Sequence, residues 1–140
     1  MIDRILKWQA LTEWSSVPRE ILPGIRFDFL LNPGIALSIP LGGTVLFVIT
    51  ILVLLALVVW FIRSLRRKDM VVILSLLFIL VGAASNITDR FLESGVIDYI
   101  QIWFLPVFNL ADLLIITGIV LILFLRSDIR KRGRVVGGGQ

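Results

Sequence analysis

Three apolar segments limit what this chain can fold into. Residues 41–62, 70–88 and 109–125 each have about the 17–25 residues that a hydrocarbon core of roughly 30 Å requires, and only the third contains a charge, Asp112. A soluble domain has roughly 45–50% apolar and about 25% charged residues, whereas this chain of 140 residues has 58% and 17%. We therefore expect one all-α, multi-pass membrane domain with three full transmembrane helices.

Basic side chains follow the first and third segments. Residues 63–68 contain four Lys or Arg residues and residues 126–140 contain five, and short loops rich in these residues stay on the cytoplasmic side. We therefore expect residues 126–140 to form a cytoplasmic tail and the loop between 88 and 109 to lie outside. The formal charge of +4 is explained by this orientation, so no nucleic-acid partner is expected.

The chain has no His and no Cys, which excludes several kinds of site. A Ser-His triad, a Cys nucleophile, a metal site built on His or thiolate, and a disulfide framework all require those residues. The remaining chemistry is that of carboxylates, hydroxyls, Lys and Arg. We predict no metal and no cofactor.

The segments between the spans are predicted to form short elements. Residues 1–14 are too short to cross a bilayer and are predicted as a partial first helix. Residues 26–39, arranged around Asn32-Pro-Gly34, indicate two short strands and a tight turn, and residues 96–104 indicate another extended segment. We expect these small β elements to be extracytoplasmic.

Polar side chains cluster where the second and third spans meet the outer surface. Ionisable residues at membrane depth are costly and are functional candidates by default. Structural roles compete with this interpretation. Asn109 and Asp112 have the spacing of a helix N-cap and its N3 partner, and Asp98 has the position of a surface acid beside a turn. Asp89 and Arg90 could mark the interface and pair with each other.

Asp98 and Asp112 together indicate a chemistry that neither indicates alone. Two carboxylates close together in a partly desolvated site do not both ionise easily, so they share a proton. One can then act as a base on water while the other donates a proton to a substrate carbonyl. This is the chemistry of aspartic proteases, and the spacing permits it, because a strand and a following helix can return to the same point.

Five blocks of residues occur in an order that is typical of one known family. The blocks are Asp3-Arg-Ile-Leu-Lys7, Asn32-Pro-Gly34-Ile-Ala36-Leu-Ser38, Gly82-Ala-Ala-Ser-Asn86-Ile-Thr-Asp89-Arg90, Gly95-Val-Ile-Asp98-Tyr-Ile and Phe104-Leu-Pro106-Val-Phe108-Asn109-Leu-Ala111-Asp112. In these blocks the chain resembles the lipoprotein signal peptidases, also called signal peptidase II, of bacterial cytoplasmic (inner) membranes. The resemblance covers all but the tail and is most specific in the last three blocks.

The resemblance implies an aspartic endopeptidase that removes signal peptides from prolipoproteins by cutting before a diacylglyceryl-modified Cys. It implies a catalytic dyad of Asp98 and Asp112 at the outer, periplasmic face. It also implies substrate-binding or supporting positions, which are Asp3, Lys7, Asn32, Gly34, Ala36, Asn86, Asp89, Arg90, Asn109 and Ala111. The implied partners are lipidated prolipoprotein, membrane lipid and a globomycin-type inhibitor, and we expect a monomer.

The chain departs from the family pattern at a few points, and other functions remain open. Members resemble four-span proteins, so we expect the first helix to be represented only by its outer end. Ser85 stands where the family usually has Gly, and Leu37 where it usually has an aromatic residue. The alternatives are an inactive truncated homologue, a non-enzymatic lipid-binding membrane protein, and a Ser-Lys peptidase that would use Lys7.

Overall fold

The computed structural model describes residues 2–33 and 43–137, which form four helices and a three-stranded sheet. In chain order the elements are α1 (Ile2–Gln9), which continues as a π-helical segment (Ala10–Trp14), β1 (Arg19–Leu22), β2 (Ile25–Asn32), α2 (Gly43–Arg67), α3 (Met70–Glu93), β3 (Val96–Ile102) and α4 (Leu110–Gly137). The predicted combination of a mostly helical chain with small β elements is confirmed.

Two helical stretches, Phe47–Arg67 and Met70–Glu93, are long and apolar enough to cross a membrane, and the apolar stretch Leu110–Phe124 is shorter. Large apolar side chains stay exposed along all three, as expected of surfaces that face lipid. The predicted transmembrane segment 109–125 belongs to the longer helix α4, which continues to Gly137. The reason is that the basic residues after 125 are good helix formers and no Pro interrupts them.

The sheet is antiparallel with the order β1-β2-β3. The strands β1 and β2 are joined at Gly24, whose φ of 81° is the left-handed conformation that glycine readily adopts. Ile25 pairs with Ile102 at one end of the sheet and Asn32 with Val96 at the other. β1 was not predicted. The predicted strand over 35–39 lies outside the described residues.

An aromatic core joins the sheet to the amino-terminal helix. The rings of Trp14 and Phe27 stack with centroids 4.4 Å apart, and Tyr99 packs against both at tilted angles. Ala10 and Ile97 are fully buried in the same cluster. Because Tyr99 and Asp98 are neighbours on β3, their side chains point to opposite faces of the sheet, so this core holds the strand while Asp98 faces the other way.

The helices α3 and α4 pack closely through glycine. A Cβ atom on Gly82 would collide with the carbonyl oxygen of Ala111, and one on Gly118 would collide with that of Ser75. Small residues let helix backbones approach each other within a membrane. This contact brings the carboxyl half of α3 beside the amino end of α4.

A buried ionic cluster ties α1 to the rest of the protein. The Lys7 ammonium is fully buried and binds Asp89 at 2.6 Å and Asp3 at 2.9 Å. Asp89 also pairs with Arg4 and accepts a hydrogen bond from the backbone N–H of Ile97. Two cations and two carboxylates are thus combined, which balances the charge of a desolvated site.

Asp3 extends this cluster to β3 and α4. Its carboxylate accepts hydrogen bonds from the Tyr99 hydroxyl at 3.0 Å, the Ala111 N–H at 3.2 Å and the Ser85 hydroxyl at 2.6 Å. The Tyr99 oxygen in turn accepts from the N–H of Leu110, the first residue of α4. The amino end of α4 is therefore held by the same carboxylate that pairs with Lys7.

We expect Lys7→Met to lower the free energy of unfolding by about 3–5 kcal/mol, because it leaves two buried carboxylates without their shared cation. The measurement is thermal or denaturant unfolding of the purified chain in detergent micelles. Lys68→Met is the matched control, because Lys68 is an exposed residue between α2 and α3. An equal effect of the two substitutions would contradict the role assigned to the cluster.

Candidate active site

A cavity of about 560 Å³ opens between the sheet and the ends of α3 and α4. Most of its lining is apolar, with a smaller set of polar groups, as is usual for a ligand-binding site. The polar lining residues are Asn32, Asn86, Arg90, Asp98, Gln101 and Asp112, and the apolar ones are Leu30, Val96, Leu105, Pro106, Val107, Phe108, Ile115 and Ile116.

Asp98 enters this cavity from the middle of β3, where it lies opposite Leu30 of β2. Its side chain is almost fully buried and accepts two hydrogen bonds from amides. Asn109 donates from Nδ2 at 2.6 Å and Asn32 donates from Nδ2 at 3.1 Å. The carboxylate is thus held between the end of β2 and the residue before α4.

The environment of Asp98 favours its neutral form. Burial raises the pKa of this carboxyl, the hydrogen bonds from Asn32 and Asn109 lower it, and the nearby negative charge of Asp112 raises it, with a result of about 6. A pKa near 6 is typical of carboxyl groups that act as acids or bases close to neutral pH. The influence of Asp112 also means that the two carboxyl groups interact electrostatically.

Asp112 closes the amino end of α4 in a capping box with Asn109. The Asn109 side chain accepts from the Asp112 N–H at 2.9 Å, and the Asp112 carboxylate accepts from the Asn109 N–H at 3.3 Å. Asn109 and Asp112 therefore have the helix-capping role that their spacing suggested. It coexists with a functional one, because the other Asp112 oxygen accepts from Asn86 Nδ2 at 2.8 Å and Asp112 also lines the cavity.

Asn109 and Asn86 are the amides that organise the two acids. Asn109 Nδ2 donates to Asp98 while its Oδ1 accepts from Asp112, so one side chain bridges both. Asn86 donates to Asp112 while its Oδ1 accepts from Lys7 at 2.9 Å. An ammonium can only donate hydrogen bonds, so Lys7 sets which end of the Asn86 amide faces Asp112.

Arg90 lines the same cavity from the last turn of α3. Its guanidinium lies near Asp112, Asp89 and Asp98 and attracts all three electrostatically. It also donates to the backbone carbonyl of Asn86. A permanent positive charge beside two carboxylates can stabilise a negative charge that develops between them.

Five of the predicted supporting residues do not line the cavity, and one of them is Asn109, which is fully buried. Asp3, Lys7 and Asp89 belong to the buried ionic cluster, and Ala111 is buried against Asp3 and Gly82. The Asp89 carboxylate forms its ion pairs with Arg4 and Lys7, and Arg90 lies within electrostatic reach of it. Gly34 and Ala36 lie outside the described residues.

Two residues of the site region were missed from the sequence. Tyr99 fixes the start of α4 through its hydroxyl, and Arg4 pairs with Asp89. The pattern of residues held no signal for either, because each partner lies more than ten residues away along the chain. Ser85, which stands where the family usually has Gly, uses its hydroxyl to bond Asp3.

Lys7 and Ser85 approach to 3.5 Å, but their other partners weigh against a Ser-Lys nucleophile. The Lys7 ammonium is already bound by Asp3, Asp89 and Asn86, and the Ser85 hydroxyl donates to Asp3. Among residues 2–33 and 43–124, no group of three or more His, Cys, Asp or Glu side chains is arranged to hold a metal ion.

Comparison with known proteins agrees with the site. Residues 1–127 match the family model described as Signal peptidase (SPase) II. A lipoprotein signal peptidase of Clostridium novyi (strain NT) is 36% identical, with 91% of this chain and 92% of the relative aligned. One of Polynucleobacter necessarius subsp. necessarius (strain STIR1) is 31% identical, with 94% and 84% aligned.

The fold is also that of solved structures. A bacterial membrane enzyme solved by the in meso method at 2.3 Å superposes with a TM-score of 0.81 at 29% identity, covering 91% of this chain and 82% of that one. A second, solved by the same method at 1.9 Å, has a TM-score of 0.78 at 28% identity, with 89% and 84% covered. These similarities, together with the apolar helices, show that the chain is a membrane protease of the signal peptidase II family.

Proposed function

We propose that this chain is an aspartic endopeptidase that removes signal peptides from diacylglyceryl-modified bacterial prolipoproteins, cutting immediately before the lipidated Cys. The observation that carries the proposal is the meeting of Asp98 and Asp112 in one cavity, where Asn109 bonds to both. The relatives are named lipoprotein signal peptidases, which supports the substrate class. An inactive truncated homologue or a non-enzymatic lipid-binding protein gives no reason for two acids in one cavity.

In the proposed reaction the two carboxyl groups share one proton. The ionised carboxylate takes a proton from a water molecule as the water oxygen attacks the scissile carbonyl carbon, and the protonated carboxyl donates to the carbonyl oxygen. Collapse of the tetrahedral intermediate returns a proton to the leaving nitrogen and breaks the C–N bond. Asn32, Asn86 and Asn109 do not titrate and hold the pair in position.

We also propose how the chain sits in its membrane. The basic run after α2 and the basic residues in α4 after Phe124 favour a cytoplasmic location for both, with three full spans. The sheet and cavity then face the periplasmic side of the inner membrane. This location suits a substrate whose lipid stays in the bilayer, and the proposed active unit is a monomer.

Asp98→Asn and Asp112→Asn should each reduce cleavage by roughly 10²–10⁴-fold or more, because each removes half of the acid–base pair. Lipidated substrate should still bind. The double variant should be no slower than the slower single variant, because the first substitution already destroys the pair. The measurement is cleavage of a lipidated prolipoprotein by the purified chain in micelles.

Asp69→Asn is the matched control for these substitutions. Asp69 caps the amino end of α3, distant from the cavity, through a hydrogen bond from the Val72 N–H, and Asn is an equally good N-cap. This variant should retain the activity of the unsubstituted chain. Substantial cleavage by either dyad variant in a correctly folded protein would disprove the aspartic mechanism.

The pH dependence follows from the pKa of Asp98. As the pH rises through about 6, the pair loses its last proton, so kcat/KM should fall about tenfold per pH unit above that value. Asn32→Ala removes a hydrogen bond that lowers the pKa of Asp98, so the fall should begin at a higher pH. The measurement is kcat/KM across the acidic and neutral range.

Gln101→Ala is the comparison for Asn32→Ala. Gln101 also lines the cavity, but its side chain accepts a hydrogen bond from Arg26. Its removal should leave the midpoint of the pH profile in place, whatever it does to the rate. A midpoint that moves to lower pH in Asn32→Ala would contradict the proposed arrangement.

Lipidation of the substrate should control the rate. A diacylglyceryl chain held in the bilayer restricts the scissile bond to the membrane surface and so converts a search in solution into a positioned attack. A precursor without the lipid should therefore show a much lower kcat/KM in a cleavage assay, and a globomycin-type lipopeptide should compete with the lipidated precursor. Equal cleavage of both precursors would contradict this.

A further inference from the structure

Three consecutive apolar side chains protrude from the sheet beside the cavity. We define the aromatic tip as Trp103, Phe104 and Leu105, which are 68%, 89% and 46% exposed. The tip follows β3, closes with a hydrogen bond from the Leu105 N–H to the Ile102 carbonyl, and returns to pair Phe108 with Ile100. Contiguous exposed apolar surface of this kind marks an interaction site for a protein or a membrane.

The aromatic tip is fixed to the sheet by contacts with Gly24, and neighbouring residues extend its apolar surface. The Trp103 N–H donates to the Gly24 carbonyl at 2.7 Å, and the Trp103 indole lies against Gly24. Ile21 and Leu22, beside that turn, are 48% and 58% exposed. Two adjoining turns therefore present one apolar end of the sheet.

We propose that the aromatic tip inserts into the interfacial layer of the lipid bilayer and holds the mouth of the cavity at the level of the lipid headgroups. The bilayer is the favoured partner because the tip adjoins the lipid-facing surface of the helices. Leu105 of the tip and Ile116 of α4 line the same cavity, and Ile116 is exposed on the apolar part of the helix. Leu105 is therefore separated from the lipid-facing surface of α4 by no more than the width of that cavity.

The chemistry of the tip also suits the interface. Trp and other aromatic side chains concentrate at the boundary between headgroups and acyl chains, where an apolar ring and a polar N–H are both satisfied. No residue between 99 and 111 is charged, so the tip itself has no ionised side chain to desolvate on insertion. The charged Glu20 and Arg26, which line a pocket with Trp103, would remain at the level of the headgroups. This proposal concerns how the protein sits in the membrane and does not depend on the catalytic assignment.

The absence of cysteine from the chain allows a direct test. Phe104→Cys, labelled with the fluorophore NBD, is reconstituted at one chain per nanodisc made of phosphatidylethanolamine and phosphatidylglycerol. Leu55→Cys on the lipid-facing surface of α2 provides a reference for the bilayer interior, and Ser16→Cys in an exposed turn provides one for water. Quenching is measured with lipids that carry a shallow or a deep nitroxide and with aqueous iodide.

We expect the label at residue 104 to be quenched roughly twofold more by the shallow nitroxide than by the deep one, with the opposite order at residue 55. Iodide should quench the label at residue 16 most strongly. If the label at residue 104 behaves like that at residue 16, the proposal is wrong. The same holds if it is shielded only when several chains share a disc, because the tip then contacts a second copy.

A second measurement does not rely on a labelled cysteine. Brominated phospholipids quench tryptophan near the interface, and the difference between the unsubstituted chain and Trp103→Phe isolates the emission of Trp103. Quenching of that emission by bromine near the headgroups supports insertion. If the emission is not quenched, the proposal is wrong.

Discussion

The buried ammonium of Lys7 is the constraint on which the rest of the structure depends. A fully buried cation is tolerated only when it is paired and hydrogen-bonded, and here Asp3, Asp89 and Asn86 provide the partners. These residues come from α1 and from the carboxyl half of α3, so neutralising one charge joins two elements separated by most of the chain. Asp3 extends the same network to β3 and to the start of α4.

This network reaches the two acids of the cavity through amides. Lys7 occupies the oxygen of Asn86 and thereby directs its Nδ2 toward Asp112, while Asn109 bonds Asp112 and Asp98 together. A side chain that accepts from one acid's backbone and donates to the other's carboxylate fixes their relative positions. The ionic cluster thus supports a site that its own residues do not line, and a rigid supporting shell of this kind is what a positioned acid–base pair requires.

Much of the fold could be predicted because its signals are local. Apolar length indicated the helices, and the pattern of residues 96–104 indicated an extended segment, where the structure has the strand β3. Other features depend on contacts that the local pattern does not specify. Asp89 has a neighbouring Arg90 but forms its ion pairs with Arg4 and Lys7. The helix α4 continues past the apolar segment that ends at residue 125, because basic residues are also good helix formers.

The sequence by itself determined that this is a membrane protein without His or Cys chemistry, and through its resemblance to signal peptidase II it indicated which two acids to examine. Only the tertiary structure decided that Asp98 and Asp112 line one cavity, that Asn109 joins them, and that burial makes Asp98 a carboxyl with a pKa of about 6. The physical reason is the separation along the chain over which each effect acts. Hydropathy and capping act between residues a few positions apart, whereas desolvation, charge pairing and cavity shape depend on α1, α3, β3 and α4 meeting in space.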